Sequence, residues 1–255
     1  MRRPIVIGGG VGPMAGVLLH GKIIEHTVTD GTDQSHCDVI HLSFSRIVPD
    51  RTEYLVGTVS ENPATAMAEV MRQAVSALAN HPAGGAVAGV PCNTFHAPEI
   101  FVPFEKKVRE LIPPIEVVNM VHTCVETLVS RYGFGSKIGV LTTTGTRNAG
   151  VYSRALSDAG IEVLQVPQGS QDDLHDIVYN RNWGLKAVYP PTKTAQDRLL
   201  SALNLLLNRG AVAIVLGCTE FPLGAPWPSY RGGDLVDPLD LLAEELVRRA
   251  ESKDT

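Results

Sequence analysis

The segment GAVAGVPCNTF (residues 85–95) can be laid on GAVAIVLGCTEF (residues 210–221) once a single gap is allowed. Each copy is an apolar run of the kind a strand buried on both faces requires, closed by Pro or Gly and followed at once by Cys and polar residues. The match recurs further along, where EVVNMVHTCVETLVSRY (116–132) corresponds to DLVDPLDLLAEELVRRA (234–250) in the same order. Self-similarity in two copies points to paired domains and not to a solenoid, which needs more repeats to bury its faces. A chain built this way has to form two similar sheets, each with its own core.

Between the repeats, short β-branched runs alternate with longer helical patterns, the signature of α/β architecture with parallel sheets. In the first half PIVIGG (4–9), DVIHLSF (38–44) and the run ending at Cys92 read as strands. Helices are expected from Met14 to about Thr29 and, opened by Asn62 and Pro63, to about Asn80. In the second half KIGVLTT (137–143), IEVLQV (161–166) and the run before Cys218 are the strands, with helices from about Asn148 and over 194–208. The expected fold is α/β, with two similar parallel-sheet domains related by a pseudo-twofold axis and an active site in the cleft between them. The expected boundaries are 1–115 plus 232–255 for the N-terminal domain and 116–231 for the second.

At 255 residues, two such domains can bury real cores without disulfides. Cys37, Cys92, Cys124 and Cys218 show neither C-x-x-C pairing nor a zinc-site spacing, which fits a reducing cytoplasm. The opening MRRPIVIGGG reaches glycines before a signal-peptide apolar region develops, and no run approaches the roughly 18 apolar residues of a membrane helix. The formal charge of −5 comes from mixed signs without a basic block, so nucleic-acid and membrane partners are disfavoured.

A lone cysteine at a strand end is most often a small core residue. Recurrence at matching sites changes that reading, because ligands of open parallel sheets bind beyond the carboxyl ends of the strands. Two thiols facing one carbon from opposite sides suit a reaction that removes a proton from one face and returns one to the other. A free thiol's pKa of about 8.5 can be tuned so that one partner is thiolate while the other stays protonated. Asn93, Thr94 and Thr219 add hydrogen-bond donors at strand-to-helix turns, where a carboxylate and the charge spreading into it are stabilised.

Cys37 and Cys124 have no such context and read as core thiols, and His96, His122 and Glu99 match no metal-site spacing. The stretch GGGVGPMAG (8–16) places Gly10, Gly12 and Ala15 in a G-x-G-x-x-A spacing and raises a dinucleotide-dependent dehydrogenase as a rival. The second strand ends without the acidic partner that fingerprint needs, and the duplicated half carries TTTGTRNAG (142–150) in its place. A polar turn for a small anion is the preferred reading.

GGGVGPMAG, PDRTEYL (49–55), PCNTFH (91–96), LTTTGT (141–146), WGLKA (183–187) and GCTEFPL (217–223) together resemble the aspartate/glutamate racemase family, most closely its aspartate racemase branch. The resemblance spans nearly the whole chain. It implies a homodimer and cofactor-independent racemisation of an acidic amino acid, aspartate first and glutamate second, with Cys92 and Cys218 as the acid/base pair. Cys218 would work on the L-enantiomer and Cys92 on the D-enantiomer. It further implies that Asn93, Thr94, Thr143 and Thr219 hold the α-carboxylate and ammonium region, that Met14 lines the pocket, and that Arg51 and Lys186 address the side-chain carboxylate. Arg51 suits bidentate recognition of that group. Alternatives are a hydantoin racemase or maleate isomerase type of activity, or a non-catalytic binding homologue. Phe95 and Tyr54 are bulkier than the family motifs lead one to expect and are candidates for reshaping the pocket. The loop from Phe44 to about Ser60, which carries Arg51, is expected to order over bound substrate.

Overall fold

The computed structural model describes residues 2–111 and 114–252. In chain order the first elements are β1 (Ile5–Gly9), α1 (Pro13–His26), β2 (Val39–Ser43), α2 (Arg51–Leu55), α3 (Pro63–Ala77), β3 (Ala86–Gly89), α4 (Pro98–Val108), β4 (Ile115–Val117) and α5 (Met120–Tyr132). Then follow β5 (Lys137–Leu141), α6 (Thr144–Asn148), α7 (Val151–Asp158), β6 (Glu162–Gln165), α8 (Gln171–Tyr179), α9 (Lys193–Asn208), β7 (Ala213–Leu216), α10 (Phe221–Gly224), β8 (Ser229–Tyr230), β9 (Gly233–Val236) and α11 (Pro238–Glu251). The chain forms two compact units, residues 1–123 with 239–255 and residues 124–238.

The first unit holds a parallel sheet in the order β2-β1-β3-β4. Its strands alternate sides as pleating requires. Val6, Ala88 and Val90 enter a core with Met67 and Met71 of α3 and Ile100 and Phe104 of α4. Ile5, Ile7 and Val87 enter another with Leu19 and Ile23 of α1 and Leu242 and Leu246 of α11. Asn62 caps α3 by accepting from the Ala64 N–H, and Pro63 opens the helix where no hydrogen bond is lost.

The second unit repeats the plan as β6-β5-β7-β9, all parallel, with β8 added antiparallel at the edge. Leu141, Ile214 and Leu216 pack with Leu174 and Ile177 of α8 and Leu199, Leu203 and Leu206 of α9. Thr192 caps α9 through the Ala195 N–H.

Three expectations change. The strand at 115–117, cut by the expected boundary after residue 115, pairs whole with β3 of the first unit, and β9, assigned to the first domain, pairs with β7 of the second. Each half therefore keeps its own fourth strand, while α11 counts with the first unit and most of α5 with the second. The helix expected from Asn148 is two helices, α6 and α7, separated by Gly150 in the left-handed conformation (φ 65°). The segment from Phe44 to Ser60 also contains α2, because the Asp50 carboxylate caps the N–H groups of Thr52 and Glu53.

Candidate active site

In the first unit the chain leaves the interior strand β3 and turns sharply. The Cys92 N–H donates to the Val90 carbonyl (2.9 Å), and the Phe95 N–H donates to the Cys92 carbonyl (3.2 Å). Phe95 anchors the turn. Its ring is fully buried and meets Phe104 edge-on at 5.1 Å, so it is a core residue and does not reshape a pocket. Cys92, Asn93 and Thr94 are all buried on this turn.

His96 locks the turn from behind. Its Nε2 accepts the Met120 N–H (3.3 Å), which leaves the proton on Nδ1 to be donated to the Cys92 carbonyl (2.9 Å). The ring stacks on Phe101 at 4.8 Å, and burial pushes its pKa down to about 4. Both nitrogens of this neutral imidazole are occupied, so His96 is structural. No group of three or more His, Cys, Asp or Glu suited to a metal occurs among the described residues.

Two other loops reach the carboxyl edge of this sheet. Arg51 is the first residue of α2, with Nη1 donating to the Pro49 carbonyl (3.2 Å), and Met14 is the second residue of α1, with nearly half its surface exposed. Tyr54 receives a hydrogen bond from Asn62 Nδ2 at its hydroxyl (2.8 Å). The glycine-rich opening answers to packing inside the unit. At Gly10 (φ 90°) a Cβ would lie 2.6–2.7 Å from the backbone of Phe44 and Ser45, so only glycine lets the loops after β1 and β2 touch.

In the second unit the corresponding turn follows β7. The Gly217 N–H donates to the Leu141 carbonyl of β5 (2.8 Å), and the Phe221 N–H donates to the Cys218 carbonyl (3.0 Å). A Cβ at Gly217 would stand 2.8 Å from the Leu141 carbonyl oxygen and 2.7 Å from Thr142 Cγ2, which explains a glycine immediately before the thiol. Thr143 lies at the neighbouring strand end, buried as the residue preceding α6, with its hydroxyl 3.4 Å from that of Thr146. This strand end is braced: Gln171 Nε2 donates to the Thr142 carbonyl, and Arg147 bonds Gln171 Oε1 and the Val166 carbonyl.

Cys218 has a direct polar partner. Its Sγ donates to Glu220 Oε2 at 2.9 Å, and the Thr219 hydroxyl donates to the same oxygen at 3.1 Å. The other oxygen, Oε1, lies 3.6 Å from Lys186 Nζ. Burial, and next the Glu220 carboxylate, push the Cys218 thiol well above its ordinary value, opposed by the Lys186 charge.

Lys186 is held by more than this ion pair. Its Nζ sits 4.5 Å over the Tyr179 ring and donates to the Tyr179 hydroxyl at 3.3 Å, while His175 stacks on the same ring at 4.5 Å. The backbone positions the lysine through N–H bonds from Leu185 and Lys186 to the Ile177 and Val178 carbonyls at the end of α8. Gly184 permits this return, since a Cβ there would lie 2.6 Å from the Asn180 carbonyl oxygen.

The residues singled out by sequence thus form local groups: Cys92 with Asn93 and Thr94, and Cys218 with Thr219 and Lys186. The link in the second group, Glu220, was not among them, nor were Tyr179 and His175. A carboxylate two residues after Cys218, immediately before the apolar Phe221, was a readable signal for the first, and His-x-x-x-Tyr at one-turn spacing on α8 for the others.

A family model described as Asp/Glu/Hydantoin racemase matches residues 9–246. Among solved structures, the chain is similar to Picrophilus torridus aspartate racemase, with a TM-score of 0.74 and 24% identity, covering 98% of this chain and 94% of that one. It is similar to an aspartate racemase homologue from Pyrococcus horikoshii OT3 (TM-score 0.69, 19% identity, 99% and 100% covered). Glutamate racemase from Francisella tularensis in complex with D-glutamate is a further neighbour (TM-score 0.64, 17% identity, 96% and 80% covered).

Proposed function

The chain belongs to the Asp/Glu/hydantoin racemase family, a family of isomerases, and on that premise we propose that it racemises an acidic amino acid by proton transfer between two thiols. One observation carries the reading. Cys92 and Cys218 are both buried, both follow the third strand in the order of their sheets, and both stand three residues before a fully buried phenylalanine whose N–H bonds the cysteine carbonyl. A shared task is a direct reason for two buried thiols to keep the same topological address.

In the proposed reaction one sulfur, as thiolate, takes the α-proton: an S–H bond forms and the C–H electron pair passes into the α-carboxylate. The other thiol delivers its proton to the opposite face, forming the new C–H bond and leaving a thiolate. Asn93, Thr94, Thr143 and Thr219 offer polar groups for the α-carboxylate and ammonium, and donors placed where charge develops lower the barrier to its formation. Lys186 and Arg51 are assigned to the side-chain carboxylate, which favours aspartate, then glutamate, over a hydantoin. Met14, exposed at the start of α1, lines the pocket in this reading. The family resemblance also supports a homodimer working in the cytoplasm without a cofactor.

Solvent deuterium incorporation at Cα, followed by NMR with L- and D-aspartate offered separately, tests the proposal. Wild type should exchange with both enantiomers, and Cys92→Ser and Cys218→Ser should each lose racemisation. Silence with aspartate, glutamate and a panel of other amino acids would overturn it.

A further inference from the structure

The two thiol turns share a backbone but differ in charge. Two residues beyond Cys92 stands the hydroxyl of Thr94; two residues beyond Cys218 stands the carboxylate of Glu220. Glu220 is buried, and its Oε2 accepts from Cys218 Sγ and from Thr219, while Oε1 faces Lys186. A sulfur and a carboxylate oxygen 2.9 Å apart need one proton between them. The sulfur is the donor and the carboxylate oxygen the acceptor, which puts that proton on Cys218. The other titratable groups acting at Cys218 are Lys186 and the Tyr152 phenol, which burial keeps protonated.

Resting on the racemase reading, we propose that Glu220 is a positioning residue that holds the resting enzyme with its proton on Cys218, so that Cys218 begins as the acid and Cys92 as the base. The family assignment of faces then makes the resting enzyme ready for the D-enantiomer. An L-enantiomer binding to this form meets a protonated sulfur where it needs a thiolate, and its turnover waits for the proton to leave Cys218, the slow step of this proposal.

The kinetic signature follows from symmetry. Enantiomers have equal free energies, so kcat/KM is the same in both directions. When return of the proton between turnovers is the slow step, kcat for each enantiomer is the rate at which the enzyme regains the form that enantiomer needs, and KM moves with kcat because their ratio is fixed. Wild type should therefore show kcat and KM both larger for the D-enantiomer by a common factor, about tenfold for each pKa unit by which Glu220 favours the proton on Cys218. Glu220→Gln, which keeps the shape and removes the charge, should bring that factor towards one. Glu220→Asp, which keeps the charge, should retain part of it. Equal kcat values for the two enantiomers in wild type, or an asymmetry unchanged in Glu220→Gln, would overturn the proposal.

A second measurement does not depend on turnover. In a Cys92→Ser background, alkylation of Cys218 by iodoacetamide is followed against pH by peptide mass spectrometry. Adding Glu220→Gln should move the midpoint to lower pH. An unmoved midpoint would make Glu220 merely structural, even if the enzyme racemises. A moved midpoint with no amino-acid exchange in wild type would uphold the thiol–carboxylate pairing and sink the racemase reading alone.

Discussion

The turn after β3 and the turn after β7 are the same piece of backbone put to different electrostatic use. Counting from each cysteine, the third residue is a fully buried phenylalanine in both, and its N–H closes the turn on the cysteine carbonyl. The positions on either side diverge: Thr94 against Glu220 at the second, His96 against Pro222 at the fourth. In the first turn the ionisable group is a neutral imidazole bonded to the carbonyl behind the thiol; in the second it is a carboxylate bonded to the sulfur itself. The two turns offer equivalent backbone positions, and the proposed reaction, which needs an acid and a base, requires them to be made inequivalent. The divergence lies in side chains, where it leaves the turn intact.

The largest effect that would break the comparison is removal of either sulfur. Cys92→Ser and Cys218→Ser should each lower racemisation by about 10²- to 10⁴-fold, the range of a lost general acid or base. A loss confined to one of the two would mean that the turns are alike in structure only.

The next effect separates the turns by acid. His96 is held neutral with a pKa of about 4, against about 6.5 in an unfolded chain. As the pH falls from about 6.5 towards 4 the unfolded chain binds a proton that the folded one refuses. Stability present above that window is lost through it, by up to about 3 kcal/mol. Urea unfolding at pH 7 and pH 4.5 should show a larger acid loss in wild type than in His96→Asn. Hydrogen exchange should place that difference in the first unit, since Pro222 has no proton to bind. Equal acid losses in the two proteins would remove His96 from the account.

Much of this was open to sequence reasoning, for physical reasons. Strands buried on both faces have to be apolar throughout, so the runs before Cys92 and Cys218 announced themselves, and Asn62-Pro63 marked the start of α3. The placement of the fourth strands was hidden, because the repeat alignment specifies a strand-then-helix pair without saying that its strand and helix count with different units. Glu220 was missed for a different reason. Inside a motif its neighbours drew the eye as donors to substrate, whereas its part depends on a rotamer that brings Oε2 to Cys218 and Oε1 towards a lysine 34 residues earlier (220 − 186). Such a bond follows from the path of the segment after α8, pinned by Gly184, and not from spacing.

A smaller effect concerns how each thiol is presented. Gly217→Ala should cost about 1–3 kcal/mol, because the new methyl meets a backbone carbonyl and Thr142 at under 3 Å and the turn must shift. Pro91→Ala in the other turn introduces no new atom and should cost less. Chemical denaturation of the two variants side by side would reverse the argument if Pro91→Ala proved the more damaging.

The smallest effect sharpens the comparison most, because Lys186 has two claims on its charge. It faces Glu220 at 3.6 Å, and the proposed function assigns it to a substrate carboxylate. If the second claim holds, Lys186→Met should raise KM for aspartate by about tenfold, near 1.4 kcal/mol of lost ion pairing. The same substitution leaves the Glu220 carboxylate buried without that cation, which alone would disturb the site. The two contributions come apart in a double-mutant cycle with Glu220→Gln. A KM defect of the same size in the Glu220→Gln background belongs to substrate recognition. A defect that disappears there would leave Lys186 as the counter-ion of Glu220, and the second turn would then differ from the first only in how its proton is held.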